Sequence, residues 1–192
     1  MAERPTAADP RIVTCDAVAG YPPRIGRYVA QLAEVRGDLK QEVTSLSIAQ
    51  VDWHPDEQTE SIGTLLLHLA GVEWSWIHED IFGRPDSEYP GSWDEAMPIR
   101  QSVPQVQGRP VAAYLEHLDA IRAETLRVLQ GFTDADLDRH VGEVPPPGWE
   151  PGSLLYSIDW ILWHIVEHEA THVGQIELLR RLGPGVADQP GG

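Results

Sequence analysis

His164-Ile165-Val166-Glu167-His168-Glu169-Ala170-Thr171-His172-Val173-Gly174-Gln175-Ile176 lies inside a longer stretch that carries Leu154, Ile158, Ile161, Ile165, Val166, Ile176 and Leu179. These apolar residues recur at the three- and four-residue steps that return a side chain to one face of a helix. The pattern predicts a single helix of about thirty residues, from near Ser153 to a stop at Gly183-Pro184. His164, His168 and His172 are spaced by four within it and share the broad face of Ile161, Ile165, Ile176 and Leu179.

Three more stripes lie upstream. Ile25, Tyr28, Val29, Leu32, Val35, Leu39, Val43 and Leu46 predict a first helix from Pro22 to about Leu46. A second follows the capping hydroxyls of Thr59-Glu60-Ser61, carries Ile62, Leu65, Leu66, Leu69, Val72 and Trp76, and runs to about Phe82, where Gly83 and Pro85 stop it. The third opens at Pro110, whose missing N–H suits a first turn, and continues through Val111, Tyr114, Leu115, Leu118, Ile121, Leu126 and Leu129 to Gly131. No run alternates convincingly as a strand, so a sheet of any size is not expected.

The expected fold is therefore all-α, a four-helix bundle. A long crossover from Gly83 to Arg109 joins its second and third helices and lets them run parallel. Pro85, Tyr89, Pro90, Trp93 and Pro98 favour an ordered cover in that connection. No repeat or linker divides the 192 residues, so residues 1–192 read as one domain with a core of about 22–184 and tails.

Composition narrows the partners. Thirty acidic against 14 basic side chains leave a net charge of −16, which repels polyphosphate and disfavours nucleic acid. One cysteine excludes an intrachain disulfide, no segment is apolar enough for a membrane span, and Met1-Ala2-Glu3-Arg4-Pro5 lacks a signal peptide's apolar core. A soluble, cytoplasmic protein is expected.

The histidines carry the chemistry. His68, flanked at helical distance by Leu65, Val72 and Trp76, should point inward like the pair on the last helix. Imidazoles are costly to bury without partners, and a shared cation supplies one: His168 and His172, four apart, with His68 from a facing helix, make a half-open metal site. The alternative is that each is a separately hydrogen-bonded core histidine. His168-Glu169-Ala170-Thr171-His172 also matches the H-E-x-x-H of zinc proteases, where the Glu is general base. The extended pattern needs Gly at 175 and His at 178, which here are Gln175 and Leu178, and the only acids beyond His172 are Glu177 and Asp188. These departures disfavour a protease.

Ser61-Ile62-Gly63-Thr64-Leu65-Leu66-Leu67-His68-Leu69-Ala70, the turn Thr133-Asp134-Ala135-Asp136-Leu137 after the third helix, and His164 to Ile176 stand in an order that resembles the DinB-like (YfiT-like) superfamily of metal-dependent enzymes over most of residues 22–184. The resemblance implies an up-down-down-up bundle and a divalent metal, often zinc or nickel, held by His68, His168 and His172. Gln175 and Ile176 match the family's register; Val173 departs from it, where many members have Arg. His164 falls outside the implied triad. Some members use low-molecular-weight thiols such as mycothiol or bacillithiol, which implies a small-molecule substrate and either hydrolysis or thiol-dependent S-transfer. A non-catalytic, stress-associated metal-binding bundle is the alternative, and a homodimer is compatible with the fold.

The remaining candidates read as structural. Trp53, Trp74, Trp76, Trp160 and Trp163 are expected to pack the core, with Trp76 or Trp93 as the candidates for a pocket wall over the metal. His54, His78, His117 and His140 are expected at surfaces or helix ends, Glu167 and Glu169 on an exposed face, and nothing near Cys15 depresses its thiol pKa.

Overall fold

Pro23 occupies the first turn of α1 (Pro23–Val43), where its absent N–H costs nothing. The helix buries Ile25, Val29, Leu32, Leu39 and Val43 along one stripe. It ends three residues before the expected Leu46, where the Thr44 hydroxyl donates to the Lys40 carbonyl at 2.6 Å. The computed structural model describes residues 14–97, 105–142 and 155–185.

Ser47 and Gln50 form a reciprocal capping box at the short α2 (Ile48–Val51). Ser61 caps α3 (Ile62–Trp74) by accepting from the Thr64 amide at 3.2 Å, as its sequence context predicts. Every residue of α3 is buried, so its expected one-sided stripe is in fact an all-round surface. Gly71 allows the close approach this requires: a Cβ there would lie 2.8 Å from that of Ala96. The expected α-helical continuation to Phe82 changes at Ser75 into a π-helical segment, Ser75–Ile81, and Gly83 terminates it at φ +66°.

The connection after Gly83 is ordered where it is described. It holds a 3₁₀ turn at Asp86–Glu88 and α4 (Trp93–Ala96), and it buries Tyr89, Ala96, Met97 and Val106; Pro98 lies outside the described residues. The third long helix is α5 (Val111–Leu129), followed by a 3₁₀ turn at Asp134–Asp138.

The last helix, α6 (Ile158–Leu182), starts later than expected. Ser153 and Leu154 lie outside the described residues, and Leu155–Ser157 forms β2, antiparallel to β1 (His140–Gly142), with His140 opposite Ser157. Ser157 ends the strand and caps the helix, accepting from the Trp160 amide at 3.1 Å.

The chain is mostly helical. α1 packs against α6 and α3 against α5, with further α3–α6 and α1–α5 contacts. Two apolar clusters result. One gathers Leu39, Val43, Ile62, Leu66, Tyr114, Leu118, Ile176 and Leu179; the other gathers Ile25, Leu32, Ile77, Leu129, Leu137, Ile158, Ile161 and Ile165. Among the described residues no helix is long and apolar enough to cross a membrane.

Candidate metal centre

His68 enters the site from α3, and His168 and His172 from adjacent turns of α6. His68 and His172 are buried and His168 is half-buried. The ring centroid of His68 lies 5.2 Å from that of His168 and 5.3 Å from that of His172, and the latter two are 4.5 Å apart. One ring nitrogen from each lies within 4.8 Å of the other two. Nitrogens bound to one tetrahedral cation at about 2.0–2.1 Å stand roughly 3.4 Å apart. The Nε2 atoms of His168 and His172 are already at 3.2 Å, and a His68 nitrogen lies within 4.8 Å of a ring nitrogen of each.

The donor chemistry fits a cation. Gln175 presents its amide oxygen 2.7 Å from Nδ1 of His172. Nδ1–H is then the donor, and the Nε2 lone pair is left facing the other rings, the tautomer a metal ligand needs. Burial first, and then the neighbouring rings of His172, His68 and His164, hold the His168 imidazole down at about 3. Burial also lowers His172, partly offset by its bond to Gln175 and the fields of Glu60 and Glu167. Neutral imidazoles are the metal-binding form.

His164 stays outside the triad. It stacks on Trp160 at 4.7 Å and 13°, meets Trp76 edge-on at 5.3 Å, and its Nδ1 is 3.4 Å from Glu167. Trp76 thus packs on His164, whose ring is 5.7 Å from that of His168, and Trp93 packs on Tyr89. Trp163 is 49% exposed, against the expectation of core packing. Glu167 is exposed as expected; Cys15 is exposed too.

Glu169 is where expectation and structure differ most. It is 2% exposed, and both its oxygens are engaged by arginines. Arg36 donates from Nε at 2.5 Å and from Nη2 at 3.3 Å, and Arg122 donates from Nη2 at 2.7 Å. The same guanidiniums hold Glu73, through Arg122 Nε at 2.7 Å and Arg36 Nη2 at 3.3 Å. Burial alone would raise the Glu73 carboxyl, but Arg122 and Arg36 overcome it and hold the group below the usual carboxylate range. Both Glu169 oxygens are occupied by guanidinium donors rather than turned toward the histidines, which weighs against the H-E-x-x-H base role.

The signal for three of these four charges was in the apolar stripes themselves. Arg36 stands between Leu32 and Leu39, Arg122 between Leu118 and Leu129, and Glu169 between Ile165 and Ile176, all core positions of their helices. His78 is a second correction. It is fully buried against Trp74 at 4.2 Å, because the π turn rotates it inward, and Arg84 reaches its Nδ1 at 3.2 Å. His117 is half-buried and paired with the Tyr89 hydroxyl at 2.6 Å beside a cavity of about 290 Å³ lined by Leu67, Glu95, Arg109 and Tyr114. His140 is exposed, as expected, and His54 is half-exposed, its Nδ1 2.6 Å from the Asp56 carbonyl.

Comparison with known proteins agrees with this picture. The family model for mycothiol-S-transferase matches residues 28–185. YizA of Bacillus subtilis (strain 168), an uncharacterised protein, is 34% identical over 122 residues; the match spans 64% of this chain and 64% of that protein's length. The crystal structure of a conserved protein from Enterococcus faecalis superposes with a TM-score of 0.55 at 14% identity, covering 81% of this chain and 94% of that one, a likeness of fold. Because the matched span takes in α3, α5 and α6 together with all three converging histidines, the chain belongs to the mycothiol-S-transferase family of the DinB-like superfamily.

Proposed function

We propose that the protein is a metal-dependent thiol S-transferase built on an up-down-down-up four-helix bundle. His68, His168 and His172 would hold one divalent cation, zinc or nickel, and leave a side open for a low-molecular-weight thiol such as mycothiol. The observation that carries this reading is the approach of three imidazole nitrogens from two helices to within 4.8 Å in a chain of this family.

A bound cation would supply a thiolate at neutral pH by stabilising the sulfur's negative charge. The protein's own contribution is to present neutral rings, through burial of His168 and the Gln175 bond that sets the His172 tautomer. In the overall exchange the sulfur gives up its proton to solvent and forms a bond to the electrophilic carbon. The leaving group departs from that carbon with its bonding electrons. A hydrolase of the H-E-x-x-H kind would use Glu169 as base, and the two arginines on that carboxylate weigh against that form of the hydrolase reading.

Elemental analysis of protein purified with zinc or nickel, combined with a mycothiol-transfer assay on 1-chloro-2,4-dinitrobenzene, tests the proposal. One metal per chain and metal-dependent thioether formation are expected, with both lost in His68→Ala and His172→Ala. Full metal content in both variants would exclude the assigned ligands, and metal-independent transfer would exclude the chemistry.

A further inference from the structure

Arg36, Glu73, Arg122 and Glu169 come one each from α1, α3, α5 and α6, and each is between 2% and 6% exposed. They form a closed ring in which each arginine touches both glutamates. The remaining guanidinium N–H groups reach across to the backbone: Arg36 Nη1 donates to the Leu118 carbonyl of α5 at 3.0 Å, and Arg122 Nη1 to the Leu32 carbonyl of α1 at 2.6 Å. On α1, α5 and α6 the charged residue lies between the segments that feed the two apolar clusters; on α3 Glu73 stands near the end, with Trp74 of the first cluster after it and Ile77 of the second in the π-helical segment that follows. Four formal charges that sum to zero thus meet inside the bundle.

Stability does not explain the ring. Desolvating four ions can cost more than their mutual attraction returns, and well-packed apolar residues of similar volume often serve as well or better. What such a ring supplies is direction, because forked guanidiniums accept only one mutual placement of the carboxylates. Glu169 is the chain neighbour of His168 and lies one turn before His172, and Glu73 follows His68 on α3. The ring therefore ties together, within five residues of each ligand along the chain, the two helices whose relative placement the triad needs. A slide of one residue moves a helix by about 1.5 Å along its axis and turns its side chains by roughly 100°, enough to carry His68 out of reach of the pair.

We propose that Arg36 and Arg122 are positioning residues for the metal ligands. They act through Glu73 and Glu169 to set the register of α3 against α6. The inference rests on the reading of the triad as a metal site.

Cobalt(II) is the probe, since its visible ligand-field absorption reports coordination and its titration reports affinity without any catalytic assay. The full-length wild type is compared with the fourfold variant Arg36→Met, Glu73→Leu, Arg122→Met, Glu169→Leu and with the single variant Arg122→Lys. The fourfold variant should keep its helical circular dichroism and unfold at or above the wild-type temperature, yet bind cobalt(II) at least tenfold more weakly with an altered band. Arg122→Lys keeps the charge but loses the fork, and should show the same direction of change; it decides the matter if the fourfold variant does not fold. Wild-type affinity and band shape in a folded variant would overturn the inference. Should the wild type bind no cobalt(II), or bind it equally after His68→Ala, it is the metal reading that fails.

Discussion

Acid should loosen the metal-free protein through His168 at a pH well above the carboxylate range. Burial, reinforced by the His172, His68 and His164 rings, holds this imidazole at about 3 in the folded chain, whereas unfolding returns it to roughly 6.5. Between those values the unfolded state binds a proton that the folded state refuses. Stability is therefore intact above about 6.5, falls as the pH drops below it, and stops falling on this account near the folded value. Each pH unit inside the window is worth at most about 1.4 kcal/mol. The ring is half-buried, and allowing for solvent screening leaves an expected loss of about 1 kcal/mol near pH 5.5. His172, His78 and His117 are shifted in the same direction, each by burial first, so the wild-type slope mixes several groups. The informative quantity is the difference from His168→Gln, which keeps polarity and removes the titration. Urea unfolding of chelator-treated protein at about pH 7.5 and 5.5 should show the wild type losing about 1 kcal/mol more than the variant. Parallel losses would mean that the ring is solvated and ordinary, and the argument that burial keeps His168 neutral would fail.

Arg122→Ala leaves Glu73 and Glu169 short of a partner in the interior, and should cost about 3–5 kcal/mol in urea unfolding; a loss under 1 kcal/mol would show the ring to be dispensable. Gly71→Ala places a methyl 2.8 Å from the Ala96 Cβ and 3.0 Å from its carbonyl, so α4 must shift, with an expected cost of about 1–3 kcal/mol. Excess zinc should raise the wild-type melting temperature near neutral pH and leave that of His68→Ala unchanged, because only the folded triad gathers the ligands. Cys15→Ser, at an exposed position, should change neither transfer activity nor stability measurably.

The helices were legible because each carries a predominantly apolar stripe, and three of them have a capping residue or a proline at the start, as at Pro23, Ser61 and Pro110. The triad was legible for a related reason: a histidine inside an apolar stripe is conspicuous, and three that share two faces narrow the explanations quickly. The departures have local causes. Leu155–Ser157 continues the spacing of the last helix, yet it pairs with His140–Gly142, and nothing in helical periodicity reveals a three-residue ribbon. The π turn at Ser75 inserts one residue per turn without any proline or glycine to announce it, and this reverses the expected exposure of His78.

Glu169 shows a deeper limit of reading one helix at a time. On α6 alone, a glutamate between two histidines is most simply a solvated group or a catalytic base, and both readings follow from sound general rules. Its state is decided by Arg36 and Arg122, which are 133 and 47 residues away in the chain. Each of those arginines, taken alone, would also be assigned to solvent. Only together do the four charges cancel, and only then is burial tolerable. A charged residue at a core position of one helix is therefore weak evidence. One at a matching depth on all four helices, with signs that sum to zero, is strong evidence that they meet, and the sign balance could have been read from the chain before any coordinate was known.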